Sequence, residues 1–134
     1  MVLVDTGPLV ALADTAYRHH KRCREATRSI PVPLGTAWPV ITEAMYLLSF
    51  SWQAQDTLWD TIQNGELEIL PLDSPDVGRM RQLMRKYRDL PMDLADAALV
   101  TIAERERISA IFTLDQRDFE IYRPARVGRF SLIP

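Results

Sequence analysis

Apolar and polar residues alternate along this chain in blocks, and the length of each block predicts an element. Val2-Leu3-Val4 is an apolar run that stops at Asp5. A short run with no polar face suits a strand buried on both sides of a parallel sheet. Pro8 follows where the first turn of a helix tolerates it. Leu9, Val10, Leu12 and Ala13 then give a short amphipathic helix ending near Asp14-Thr15. Arg18 to Ile30 is polar with helical spacing. Pro31-Val32-Pro33-Leu34 predicts a short strand, which its prolines make an edge or irregular one. Trp38-Pro39 starts a helix to about Phe50, with Val40, Ile41, Ala44, Met45 and Leu48 on one stripe at about 100° per residue. The next helix runs from Trp52 to Asn64 and is stopped by Gly65; its stripe is Trp52, Leu58, Trp59 and Ile62. Leu67-Glu68-Ile69-Leu70 is a strand closed by Pro71.

Ser74-Pro75-Asp76 has the form of a helix start, and that helix carries Met80, Leu83, Met84 and Tyr87. Asp93 begins another, to about Arg107, with Leu94, Ala95, Ala98, Leu99 and Ile102 inward. Ser109 to Thr113 is a strand that finishes at Asp115. Asp118-Phe119 falls in a turn or short helix, and Phe130 to Ile133 is the last strand. Strands separated by helices predict a three-layer α/β/α sandwich with a mainly parallel sheet of about five strands. The length of 134 residues fits a single domain, 1–134.

Composition narrows the function classes. Net charge is −2, so no global field attracts nucleic acid. Of the 16 basic residues all but Lys21 and Lys86 are Arg, whose planar fork suits phosphate and carboxylate. The single Cys23 excludes an internal disulfide. With no signal-like start and no apolar run near the roughly 20 residues of a membrane span, a cytoplasmic protein is expected.

The acids carry the chemistry. Asp5 and Asp115 each follow an apolar strand. Asp93 and Asp96 lie three apart at a helix start and Asp118 one turn beyond Asp115. Glu43 flanks an apolar stripe. Each alone also reads as a helix cap or a solvated side chain. Together they belong at one edge of the sheet, where open α/β folds bind ligands. Several gathered anions need a counterion. Oxygen donors select Mg²⁺ or Mn²⁺, whereas one Cys and the adjacent His19 and His20 make no zinc set. Such a site suits phosphodiester chemistry. With no Gly-rich phosphate loop, a nucleoside triphosphate substrate is not indicated.

Four short stretches, in order, resemble the PIN-domain family, specifically the VapC-type toxins of prokaryotic toxin–antitoxin pairs. They are Val2 to Leu9, Val40-Ile41-Thr42-Glu43-Ala44, Asp93-Leu94-Ala95-Asp96-Ala97-Ala98-Leu99, and Thr113-Leu114-Asp115-Gln116-Arg117-Asp118-Phe119. The resemblance implies a Mg²⁺-dependent endoribonuclease (Mn²⁺ as a substitute) with Asp5, Glu43, Asp96 and Asp115 as catalytic and metal-binding acids. Asp93 is either a further pocket acid or the cap of its helix. Asp118 is a further pocket candidate that either supports the acids from behind or anchors the Asp115 turn, and Thr6 and Thr113 hydrogen-bond the acids or the phosphate. Arg117 is the first candidate for holding RNA; the His19–Arg24 cluster reads more readily as a solvated face. The implied partners are RNA, a cognate antitoxin and a second copy, giving a homodimer and a heterotetramer or larger assembly with antitoxin. Trp52, Trp59 and Tyr46 are expected to pack mostly in the core.

Other readings fit less well. Asp5-Thr6-Gly7 also resembles the opening of aspartic proteases, echoed by Val127-Gly128-Arg129, but helical period dominates the chain. Gly7 stands where a haloacid-dehalogenase-like phosphatase needs a second Asp. A receiver domain needs a Lys after a late strand, and neither lysine is there. The non-enzymatic alternative is a catalytically silent PIN-like module that binds RNA or protein.

Overall fold

A computed structural model describes residues Met1–Pro134. The chain runs β1 (Val2–Val4), α1 (Thr6–Ala13), α2 (His20–Arg28), β2 (Leu34–Thr36), α3 (Trp38–Leu47), α4 (Trp52–Gln63) and β3 (Leu67–Ile69). It continues through α5 (Ser74–Lys86), α6 (Leu94–Glu106), β4 (Ala110–Phe112), α7 (Gln116–Ile121) and β5 (Ser131–Ile133). The five strands form one sheet in the order β3-β2-β1-β4-β5, every pair parallel.

β1 is central, which is why its three residues are all apolar and all buried. From β1 the chain steps outward to β2 and β3, then returns to the other side of β1 for β4 and β5. Right-handed crossovers then put α1–α4 on one face and α5–α7 on the other. The direction reverses between β1 and β4, so their carboxyl ends flank the crevice where such sheets bind ligands. Asp5 N–H donates to the Phe112 carbonyl at 2.9 Å. Thr36 Oγ1 donates to the Val4 carbonyl at 2.8 Å. These bonds fix the three strand ends against one another.

The structure corrects several expectations. The second strand is Leu34–Thr36, not Pro31–Leu34, and it is interior, between β1 and β3. The prolines precede the ladder, so no missing N–H interrupts it, and the Pro33 carbonyl still accepts from Val2 N–H at 3.0 Å. Gly35 lies inside this strand under the side chains of Met1 and Leu70, where a Cβ would come within 2.7 Å of the movable Met1 Sδ and 3.2 Å of Leu70 Cδ1. On α4 the buried side chains are Ala54 and Leu58. Trp52 (70% exposed), Trp59 (49%) and Tyr46 (77%) face solvent rather than the core. The stripe assigned to α4 favoured size over the small Ala54, which lets the helix approach closely.

α6 is buried almost throughout, from Ala95 to Glu104 apart from Asp96, whereas Leu94, expected inward, is exposed. Its Glu104 takes a bidentate pair from Arg79 on α5, both bonds 2.7 Å, and accepts Ala125 N–H at 2.7 Å. Arg105 donates to Asp76 on α5 at 2.6 Å. These bonds hold α5 and α6 together and so fix the N-terminus of α6 at the sheet edge. No helix is long and apolar enough to cross a membrane.

Candidate active site

Six acids from four separate stretches line one cleft of about 420 Å³: Asp5, Glu43, Asp93, Asp96, Asp115 and Asp118. Asp5 leaves β1 as the residue preceding α1. Glu43 comes from α3. Asp115 and Asp118 come from the turn after β4 and the first turn of α7. Asp93 and Asp96 open α6, where Asp96 N–H donates to Asp93 Oδ1 at 2.8 Å. Asp93 therefore caps the helix and also lines the cleft.

Two hydroxyls orient the central acids. Thr113 Oγ1 donates to Asp5 Oδ2 at 2.9 Å and accepts Asp115 N–H at 2.9 Å. One buried threonine thus ties the end of β1 to the turn after β4. Tyr122 Oη donates to Asp96 Oδ2 at 2.7 Å. Each bond occupies one carboxylate oxygen and leaves the other uncommitted by that partner. Sequence reasoning named Thr113 but missed Tyr122. The available signal was Phe119 and Tyr122 three residues apart, one face of a short helix. Both are fully buried, with ring centroids 5.2 Å apart. Thr6 Oγ1 lies beside Glu43, but the contact lacks hydrogen-bond geometry and the buried hydroxyl has no other partner.

No ion pair within the chain reaches these acids. The ion pairs of the molecule, Arg79–Glu104, Arg105–Asp76 and Arg105–Glu106, all lie on α5 and α6. Burial pushes Asp5 up to about 6 against the opposing Thr6 N–H and Thr113 hydroxyl, helped by the charges of Glu43 and Asp93. Burial and the Asp5 charge push Asp96 up to about 8, with the Tyr122 hydroxyl opposing. Glu43 is raised by burial and then by Asp93. Asp115 is raised by burial and then by Asp118. Carboxyls held this high would ionise more readily with a cation among them.

The donor set is oxygen throughout. The imidazole at the rim, His19, is alone, and Cys23 is buried elsewhere, so the set fits Mg²⁺ or Mn²⁺ and not zinc. No three acidic, imidazole or thiol side chains are drawn close enough to close a ligand sphere by themselves. The acids thus line an open cleft rather than a closed ligand sphere. Mg²⁺ tolerates this, because it keeps several waters and takes only one or two carboxylates directly. Arg117 is exposed on α7 and does not line the cleft; Tyr17, Arg18 and His19 do.

Fold and site together define an acid-lined α/β domain with its cleft at the switch point of a parallel sheet. The PIN domain family model matches residues 2–125. Ribonuclease VapC26 of Mycobacterium tuberculosis is 30% identical over 99% of this chain and 100% of its own length. Among solved structures, VapC20 of M. tuberculosis, a sarcin–ricin loop cleaving toxin, matches with a TM-score of 0.75. It is 14% identical, over 83% of this chain and 87% of its own. A toxin–antitoxin complex from Klebsiella pneumoniae matches with a TM-score of 0.68 at 21% identity, over 89% of this chain and 90% of that one. The chain belongs to the PIN-domain family, and within it to the VapC type.

Proposed function

We propose that this protein is a Mg²⁺-dependent endoribonuclease, the toxin of a toxin–antitoxin pair, acting in the cytoplasm. What carries the reading is one cleft lined by Asp5, Glu43, Asp96 and Asp115 with no cation of the chain paired to them. The kinship with a VapC ribonuclease supplies the substrate class. The reaction adds water across the bond from phosphorus to the 3′ oxygen, leaving 5′-phosphate and 3′-hydroxyl ends. When bound, Mg²⁺ supplies positive charge that makes water more acidic and stabilises the charge on the phosphate and leaving oxygen.

The chain's own residues do the rest. Asp5 and Asp96 would hold the ion most directly, each presenting the oxygen left uncommitted by Thr113 or Tyr122. Such outer partners fix the orientation of metal-binding carboxylates. Glu43 and Asp115 position water, and Asp93 and Asp118 add negative charge beside them. A cognate antitoxin and a second copy of this chain are the proposed protein partners. The solvent-facing Trp38, Tyr46, Phe50, Trp52 and Trp59 offer apolar surface for such contacts.

The test is cleavage of total RNA by purified protein with Mg²⁺, with EDTA, and with Asp5→Asn or Asp96→Asn. Cleavage should require Mg²⁺ and vanish in both variants, with far-ultraviolet dichroism unchanged and ligatable 5′-phosphates on the products. Cleavage that persists in EDTA overturns the metal assignment. Binding of RNA without any cleavage favours the silent module.

A further inference from the structure

The cleft gathers six carboxylates, and one guanidinium borders it. Arg18 comes from the loop between α1 and α2, together with Tyr17 and His19. Arg18 is exposed and forms no ion pair with the acids beside it. Its Nε–H donates instead to His19 Nε2 at 3.1 Å. The His19 ring stands edge-on to Tyr17, with centroids 5.5 Å apart and planes at 71°. Arg18 is thus steadied by a ring nitrogen rather than by a carboxylate, so no acid pairs with its charge. Its two terminal nitrogens make no hydrogen bond within the chain.

A polyanion approaching six carboxylates meets repulsion unless positive charge stands at the rim. The planar fork of a guanidinium matches two phosphate oxygens at once. We infer that Arg18, steadied by His19 at the rim of the acid cleft, clamps a backbone phosphate of the RNA substrate. The inference rests on the ribonuclease reading above and moves the phosphate-holding role expected for Arg117 to a residue that borders the cleft.

Fluorescence anisotropy of a short labelled single-stranded RNA of mixed sequence tests it. Binding is measured without metal, in the Asp5→Asn background, over a salt series. Arg18→Ala should weaken binding about tenfold at low salt and flatten the log–log salt slope by about 0.7. Arg18→Lys should restore the slope and only part of the affinity, because it keeps the charge and loses the fork. His19→Phe retains a ring against Tyr17 but gives Arg18 no acceptor. It should weaken binding less than Arg18→Ala and leave the slope unchanged. Arg81→Ala, an exposed Arg on α5, should change neither. In the active protein, Arg18→Ala should raise KM and leave kcat near wild type. Unchanged affinity and slope in Arg18→Ala, or an equal loss in Arg81→Ala, overturns the clamp while wild-type cleavage leaves the ribonuclease reading standing. Wild-type protein that neither binds nor cleaves RNA overturns both.

Discussion

Tyr122 shows how one hydroxyl can set the working range of an acid. Its bond to Asp96 Oδ2 opposes the upward push of burial and of Asp5. Tyr122→Phe keeps the ring against Phe119 and Tyr87 but removes the donor. The Asp96 carboxyl then rises further, so less of it is ionised at neutral pH. The acid limb of the pH–rate profile should move to higher pH, with RNA cleavage at pH 7 reduced about tenfold. A profile that superimposes on wild type would remove Tyr122 from the site. Asp5, Glu43, Asp96 and Asp115 were legible as candidates because short motifs surround them. Tyr122 was not, because a lone tyrosine past the last motif reads as core, and its partner lies 26 residues away.

At the scale of elements, the N-terminus of α6 is only as well placed as the helix behind it. Arg79 and Glu104 join α5 to α6 through a fork whose acid is buried, with burial opposed by the Arg79 bonds that hold Glu104 below its usual range. Glu104→Ala strips the guanidinium of its partner and leaves Ala125 N–H without an acceptor. Urea unfolding should show a loss on the order of 3 kcal/mol; a loss below about 1 kcal/mol would class the pair with exposed surface bridges. This clamp was invisible in the sequence, since nothing local links residues 25 apart. Long helices and buried strands were legible from period and run length. β2 was misplaced because the prolines drew attention away from Leu34-Gly35-Thr36, whose neighbours β1 and β3 supply its ladder.

For the whole molecule, the raised acids tie stability to pH. A folded chain whose Asp5 and Asp96 titrate near 6 and 8 binds more protons than the unfolded chain. The stability from their protonated forms is complete below the ordinary carboxyl range and is lost as pH rises through those values. Above pH 5, where other carboxylates are already ionised, the thermal midpoint of metal-free protein should fall toward pH 8. Asp96→Asn should flatten that fall, and Mg²⁺ should raise the midpoint more at pH 8 than at pH 5. A midpoint that climbs across this range contradicts the electrostatics described. The aromatic face bears on assembly. Trp38 and Trp59 lie 6.3 Å apart, centroid to centroid, with Tyr46 exposed on the same α3 as Trp38. Exposed aromatics grouped in this way are the surface on which the proposed second copy would dock. Sedimentation should give twice the 15.4 kDa chain mass, and Trp38→Glu with Tyr46→Arg should give single chains. A wild-type monomer would exclude the dimer.

The bond from Thr113 to Asp5 spans 108 residues, and this has a meaning for synthesis. Asp5 emerges from the ribosome 108 residues before the hydroxyl that orients it, and before the neighbouring strand β4. A nascent chain halted before Ala110 has made most of its helices yet cannot assemble the cleft. Assembly of the cleft thereby waits for β4 and the turn that follows it, without any inhibitor acting on the growing polypeptide.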